Sequence, residues 1–202
     1  NKNGGVIMEK KLKKSAMFNT RQLTIIGMLS SVSILLGISG LGFIPIPPVK
    51  ATIMHIPVII GAILEGPVVG GMIGLIFGIF SVIQAITNPT PLFFVFVNPI
   101  VSVLPRVLIG IVSYYCYNAI GGKFTSIRIG VAAAVGSLTN TFGVLGLMYL
   151  IYVERYAQVF NISVSAAKKG ILAIGITNGL PEAAISVLIT IPVVMAVKKF
   201  KK

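Results

Sequence analysis

The feature that most constrains this chain is a series of long apolar runs separated by proline- and glycine-rich breaks. A helix needs roughly 20 apolar residues to cross the hydrocarbon core of a bilayer. Six stretches reach or approach that length: Leu23–Phe43, Ala51–Leu64, Pro67–Ile86, Ile100–Ile120, Ile129–Tyr152 and Gly170–Val197. The second is the shortest and contains Pro57. The breaks read Gly42–Lys50, Glu65–Pro67, Thr87–Pro91 and Gly121–Lys123. Only 10% of the 202 residues are charged, where a soluble domain would carry roughly a quarter. The expected fold is therefore an all-α integral membrane protein, with six transmembrane helices in one compact bundle. Residues 8–202 form that single domain. Asn1–Ile7 reads as an expression scar ahead of Met8.

The basic residues set the orientation. Six crossings put both termini on one side. That side collects twelve lysines and arginines, in the N-terminal run Lys2–Arg21, in Lys123 and Arg128, and in the C-terminal Lys198–Lys202. The opposite side holds four: Lys50, Arg155, Lys168 and Lys169. An excess of Lys and Arg marks the cytoplasmic face, so both termini are expected inside the cell. The net charge of +13 then belongs to an anionic membrane surface rather than to nucleic acid.

With that orientation, the polar residues inside the spans converge. Arg106 follows Pro105 in an otherwise apolar helix and lies about 12 Å below Asn98 on a 1.5 Å rise per residue. Asn178 and Glu182, four apart, share a face of the last helix. Asn140 sits near the middle of the fifth span, Gln84 at the outer end of the third, and His55 at the start of the second. Polar groups in a bilayer face the bundle interior or a wet cavity, so these define a candidate site in the outer half. Two uses stay open for Arg106: a ligand anchor, or a structural ion pair with Glu182. Asn140 and Asn178 can equally serve as interhelical hydrogen-bond glue. Tyr114, Tyr115 and Tyr117 fit an interfacial belt at the other end.

Gly66, Gly70, Gly74 and Gly78 are spaced by four and line one helix face, which admits close backbone approach. Gly27 and Ser31 repeat that small-residue spacing on the first helix. Catalytic supply is poor. There is one His, one Cys and no Asp. There is no phosphate loop ending in Lys-Ser or Lys-Thr, and Glu182 is the one carboxylate expected inside a span. The chain reads as a binding device that is not an enzyme and holds no metal or cofactor. A self-sufficient channel or secondary carrier is the rival class, and a membrane-embedded enzyme a remoter one.

The stretch "PPVKATIMHIPVIIGAILEGPVVGGMIGLIFG" (Pro47–Gly78) resembles the second and third helices of the S-components of energy-coupling factor (ECF) vitamin transporters. "PTPLFFVFVNPIVSVLPRVLIG" and "GSLTNTFGVLG" resemble the pantothenate type most. The likeness spans Phe18–Val197. It implies capture of a vitamin from outside, beneath the loop Gly42–Lys50. It also implies docking on a transmembrane coupling subunit driven by two ATPases, so that ATP is used by partner chains. Family members dock through an alanine-xxx-alanine motif on the first helix, and Gly27 and Ser31 stand at the matching place. For pantothenate, which bears a carboxylate, hydroxyls and an amide, the resemblance suggests Arg106 as carboxylate anchor. Asn98, Asn140 and Asn178 would bond the hydroxyls or the amide. Glu182 would brace Arg106 or accept from a hydroxyl, with His55 and Gln84 as rim or gate contacts. An S-component for a pyridoxine-like or hydroxymethylpyrimidine-like compound is the near alternative.

Overall fold

A computed structural model describes residues 18–46, 49–121 and 124–200. The extension Asn1–Ile7, the N-terminal lysines and Lys123 lie outside these residues. In chain order the elements are α1 (Thr20–Ser39), a hairpin of β1 (Phe43–Ile46) and β2 (Val49–Thr52), α2 (Ile56–Glu65), α3 (Pro67–Thr87), the single turn α4 (Phe93–Phe96), α5 (Pro99–Ala119), α6 (Thr125–Val159) and α7 (Val164–Phe200). Five of them, α1, α3, α5, α6 and α7, are long and apolar enough to cross a membrane.

The surface is inverted relative to a soluble protein. Met28, Leu35, Leu150, Leu172 and Leu188 are exposed, while Ser33, Ser102, Ser113, Arg106, Glu182 and Thr190 are buried. Such a chain gains nothing by hiding leucine from lipid. It gains by keeping polar groups against one another.

The second apolar stretch departs from the expected span. Its first residues belong to β2, and the helix proper is the ten residues of α2. At 1.5 Å per residue α2 covers about 15 Å, half of a roughly 30 Å hydrocarbon core. Ile56–Ile63 are all buried, as expected of a helix that is apolar on every side. Leu29 of α1 and Ile73 of α3 press on Gly61, while α3 also meets α2 where Gly70 faces Ala62. Ser33 donates to the Met54 carbonyl at 3.0 Å. Arg21 at the start of α1 pairs with Glu65 at the end of α2 at 2.6 Å. So α2 is a central pillar rather than a lipid-facing span.

The first apolar stretch also ends earlier than expected. Gly40, with φ 74°, stops α1. Gly42 N–H then bonds to the Leu36 carbonyl at 2.8 Å and the Gly42 carbonyl accepts from Ile53 N–H at 3.0 Å. Phe43 and Thr52 face each other as the first pair of the antiparallel hairpin. Residues expected as a loop thus carry sheet structure.

The glycine stripe divides by role. Gly66 has φ 105° and makes the α2–α3 turn. Gly70, Gly74 and Gly78 face α5. A methyl on Gly78 would sit 2.7 Å from Val103 Cα, and one on Gly70 would sit 3.0 Å from Gly110 Cα. On Gly74 it would run into the Arg106 carbonyl oxygen. The stripe therefore fixes the depth and approach of the helix that carries Arg106.

Residues 153–169, between the fifth and sixth apolar stretches, are mostly helical: α6 runs to Val159 and α7 starts at Val164. At 35 and 37 residues these helices measure about 52 and 55 Å and overreach the hydrocarbon core. At the other end of the bundle Tyr115 is exposed but Tyr117 is buried. Lys198 and Arg128 sit 4.3 and 4.4 Å from its ring, so Tyr117 ties α5, α6 and α7 together and is no belt residue.

Candidate ligand cavity

At the hairpin end of the bundle a cavity of about 390 Å³ lies among α3, α5, α6 and the hairpin. That is within the range of small-molecule sites. From α3 come Phe77, Ser81 and Gln84, spaced four and three and so on one helix face, and Asn88 follows as the residue that caps its end. The hairpin supplies Phe43 and Thr52, the segment before α5 supplies Thr90 and Phe96, α5 supplies Arg106 and α6 supplies Asn140. A hollow of about 350 Å³ between α6 and α7 is walled by Phe142, Leu145, Tyr149, Ile171 and their neighbours and has no side chain charged at neutral pH. It has little to hold a polar ligand.

Arg106 owes its pose to its neighbour. Pro105 has no N–H, so the carbonyl of Val101, four residues earlier, loses its helical donor. The Arg106 Nη1 donates to that oxygen at 2.9 Å. The guanidinium carbon lies 5.6 Å from the Phe77 ring and 5.9 Å from the Phe96 ring, within cation–π range. Its Nε has no partner and is buried. Across the cavity the Asn140 Oδ1 is likewise buried and unpartnered. Gln84 Nε2 donates to the Gly37 carbonyl at 3.2 Å and ties α3 to α1.

Of the two uses left open for Arg106, a direct ion pair with Glu182 does not form: no nitrogen of one lies within 4.0 Å of an oxygen of the other, and among the described residues the ion pair is Arg21–Glu65. Glu182 is satisfied elsewhere. Its Oε1 accepts from Thr52 N–H at 2.8 Å and Thr52 Oγ1 at 2.9 Å, and its Oε2 accepts from Thr141 Oγ1 at 2.9 Å. It stands behind the cavity wall, one residue removed from the space.

Of the other residues singled out in the sequence, Arg106, Asn140 and Gln84 line the cavity, and Asn98, Asn178 and His55 do not. Asn98 caps α5, accepting from Ile100 N–H at 2.9 Å and donating to Tyr152 Oη at 3.0 Å. Asn178 is half-buried on α7 beside Thr177. His55 is fully buried at the start of α2, not at a rim, and its ring nitrogens have no partner. Thr52, Ser81, Asn88 and Thr90 line the cavity without having been singled out. Ser81 was detectable, because with Gln84 it forms a polar stripe on one face of α3. Thr52 was not, since nothing local marks it.

The sequence matches the family described as "ECF transporter, substrate-specific component" over residues 21–194. The chain belongs to that family. It is similar to the pantothenic acid transporter PanT of Lactococcus lactis subsp. cremoris, 32% identical over 166 residues, covering 75% of this chain and 80% of the relative. It is also similar to the pantothenate transporter PanT of Leuconostoc mesenteroides subsp. mesenteroides, 32% identical over 117 residues, covering 54% of this chain and 57% of the relative. The family is a substrate-binding transporter component and not an enzyme class, and its members and the five apolar helices make this a multi-pass membrane protein. The short hairpin forms from the segment expected as the loop between the first two helices.

Proposed function

We propose that the chain captures pantothenate in this cavity and delivers it to an ATP-driven ECF importer of the cell membrane. One observation carries the reading. Arg106 is a buried guanidinium at the cavity wall whose Nε–H has no partner, and among the described residues no carboxylate oxygen lies within 4.0 Å of it. A charge in such surroundings is costly unless paired, and a carboxylate matches a guanidinium in charge and geometry. Pantothenate offers that carboxylate, together with hydroxyls and an amide for Asn140 and Gln84. The printed names of the two relatives point to the same vitamin.

Both termini lie in the cytoplasm in this reading, with the hairpin facing out and six passages of the chain counting the short α2. The exposed face of α1 around Gly27 and Ser31 meets the transmembrane coupling subunit, and two ATPase subunits supply the energy. Gly27 is open to its surroundings, with nothing within 4 Å of a methyl built there. No cofactor is required in this chain.

The test is calorimetric titration of the purified protein with pantothenate, with mass spectrometry of any small molecule that co-purifies. Tight binding lost in Arg106→Ala is expected. Unchanged affinity in that variant removes the anchor role, and a pyridoxine-like or hydroxymethylpyrimidine-like co-purifying molecule replaces the vitamin. Uptake into liposomes by this chain alone, without ATP, indicates a secondary carrier instead.

A further inference from the structure

The Glu182 carboxylate is buried and lies 130 residues from Thr52 in sequence, yet both oxygens are engaged. Oε1 takes both the backbone N–H and the hydroxyl of Thr52, and Oε2 takes the hydroxyl of Thr141. Thr52 is the last residue of the hairpin, faces Phe43 across it, and lines the cavity with Phe43. Thr141 neighbours Asn140, the cavity residue of α6. One carboxylate on α7 thus joins two walls of the cavity, the hairpin and α6, to the helix behind them.

A two-stranded hairpin of four-residue strands has little stability of its own. Its position depends on what holds its base. On the α1 side the base is held by Gly42 and Ile53 through backbone bonds. On the far side the side-chain hydrogen bonds that reach it come from Glu182. Bonds to an ionised acceptor are stronger than neutral ones, and among the described residues no cation lies within 4.0 Å of this carboxylate, Arg106 acting on it only from farther away.

We infer that Glu182 is a positioning residue for capture: through Thr52 it holds the hairpin wall against α6 and α7 and sets how fast a ligand exchanges with the cavity. It touches neither the cavity nor, in the reading above, the ligand. The inference rests on that cavity being the capture site, but not on the ligand being pantothenate. Losing the carboxylate lets the hairpin base swing free. Association and dissociation both quicken, while the equilibrium affinity changes less than either rate.

The experiment uses the full chain with Cys116→Ser and a reporter, Ser81→Cys, inside the cavity on α3. The probe is 2-sulfonatoethyl methanethiosulfonate, a small water-soluble thiol reagent, applied to ligand-free protein in detergent. Glu182→Ala and Thr52→Val are expected to label about tenfold faster or more, the shift that loss of charge-assisted bonds produces. Glu182→Gln keeps an acceptor for Thr52 and should stay within a few-fold of the parent. Stopped-flow dissociation of labelled pantothenate should quicken in the same order. If Glu182→Ala does not fold, Thr52→Val against Glu182→Gln carries the comparison. Labelling and dissociation at the parent rate in folded Thr52→Val and Glu182→Ala overturn the inference. Faster labelling in a protein that binds no pantothenate upholds it and removes the vitamin assignment. Pantothenate binding with unchanged labelling does the reverse.

Discussion

Arg106 donates to the carbonyl oxygen of Val101 at 2.9 Å, the oxygen that Pro105 deprives of its helical donor. The proline and the arginine are one device. Proline creates an acceptor inside an apolar helix, and the arginine beside it uses that acceptor to hold its guanidinium in the cavity. The guanidinium is tethered by backbone, with the Glu182 carboxylate acting on it only from beyond 4.0 Å.

Restoring the helical donor should loosen the tether. In Pro105→Ala the new N–H competes for the Val101 carbonyl. Thermal stability is expected to hold or rise, since proline within a helix costs up to about 3 kcal/mol. Pantothenate affinity is expected to fall several-fold as the guanidinium loses its fixed pose. A melting curve and a titration on the same preparation check both directions. A gain in both quantities would contradict the tether.

The α3–α5 contact should tolerate no methyl at its tightest point. Gly74→Ala drives a methyl into the Arg106 carbonyl oxygen, and such overpacking costs about 1–3 kcal/mol. Gly146→Ala meets nothing within 4 Å and should stay within about 0.5 kcal/mol of the parent. Comparing the two by thermal melting in detergent separates packing from a general dislike of alanine.

Asn98 should behave as a cap, not as a ligand contact. Removing its side chain deletes the bond from Ile100 N–H and the bond to Tyr152. Asn98→Ala is expected to lower stability by about 1 kcal/mol and to leave pantothenate affinity within about twofold once folded. Loss of binding in a well-folded Asn98→Ala protein would return Asn98 to the site.

The face of α1 should matter for transport and not for capture. Gly27→Phe places a bulky side chain where, among the described residues, no atom lies within 4 Å of a methyl built at that position. Binding of pantothenate is expected to persist while ATP-driven uptake in liposomes with the coupling module is lost. Normal uptake in this variant would move the docking surface elsewhere.

Much of the site was legible because membrane helices state their own limits. Apolar length placed α1, α3, α5, α6 and α7, and the glycine spacing on α3 announced a close helix contact. The expected depth of Arg106 and Asn140 came from counting residues along helices taken to enter from the sides that the basic residues set, and both line the cavity. Where a counted residue lies off the cavity, its own contacts account for its place. Asn98 was at the right depth, but its carboxamide turns back to cap its own helix. His55 was placed at an edge, but α2 is sealed on every side.

The sequence by itself determined the solvent of this protein, the segments able to cross a bilayer, and which charged group would need an explanation. Those are local properties, set by apolar length and by the cost of charge in lipid. Only the tertiary structure decided that Glu182 binds Thr52 and not Arg106. It also decided that ten residues of α2 form a buried pillar and that Phe43–Ile46 and Val49–Thr52 pair as strands. Each of those outcomes depends on groups distant in sequence meeting at hydrogen-bond range, and no local pattern records which donors will reach a buried carboxylate first.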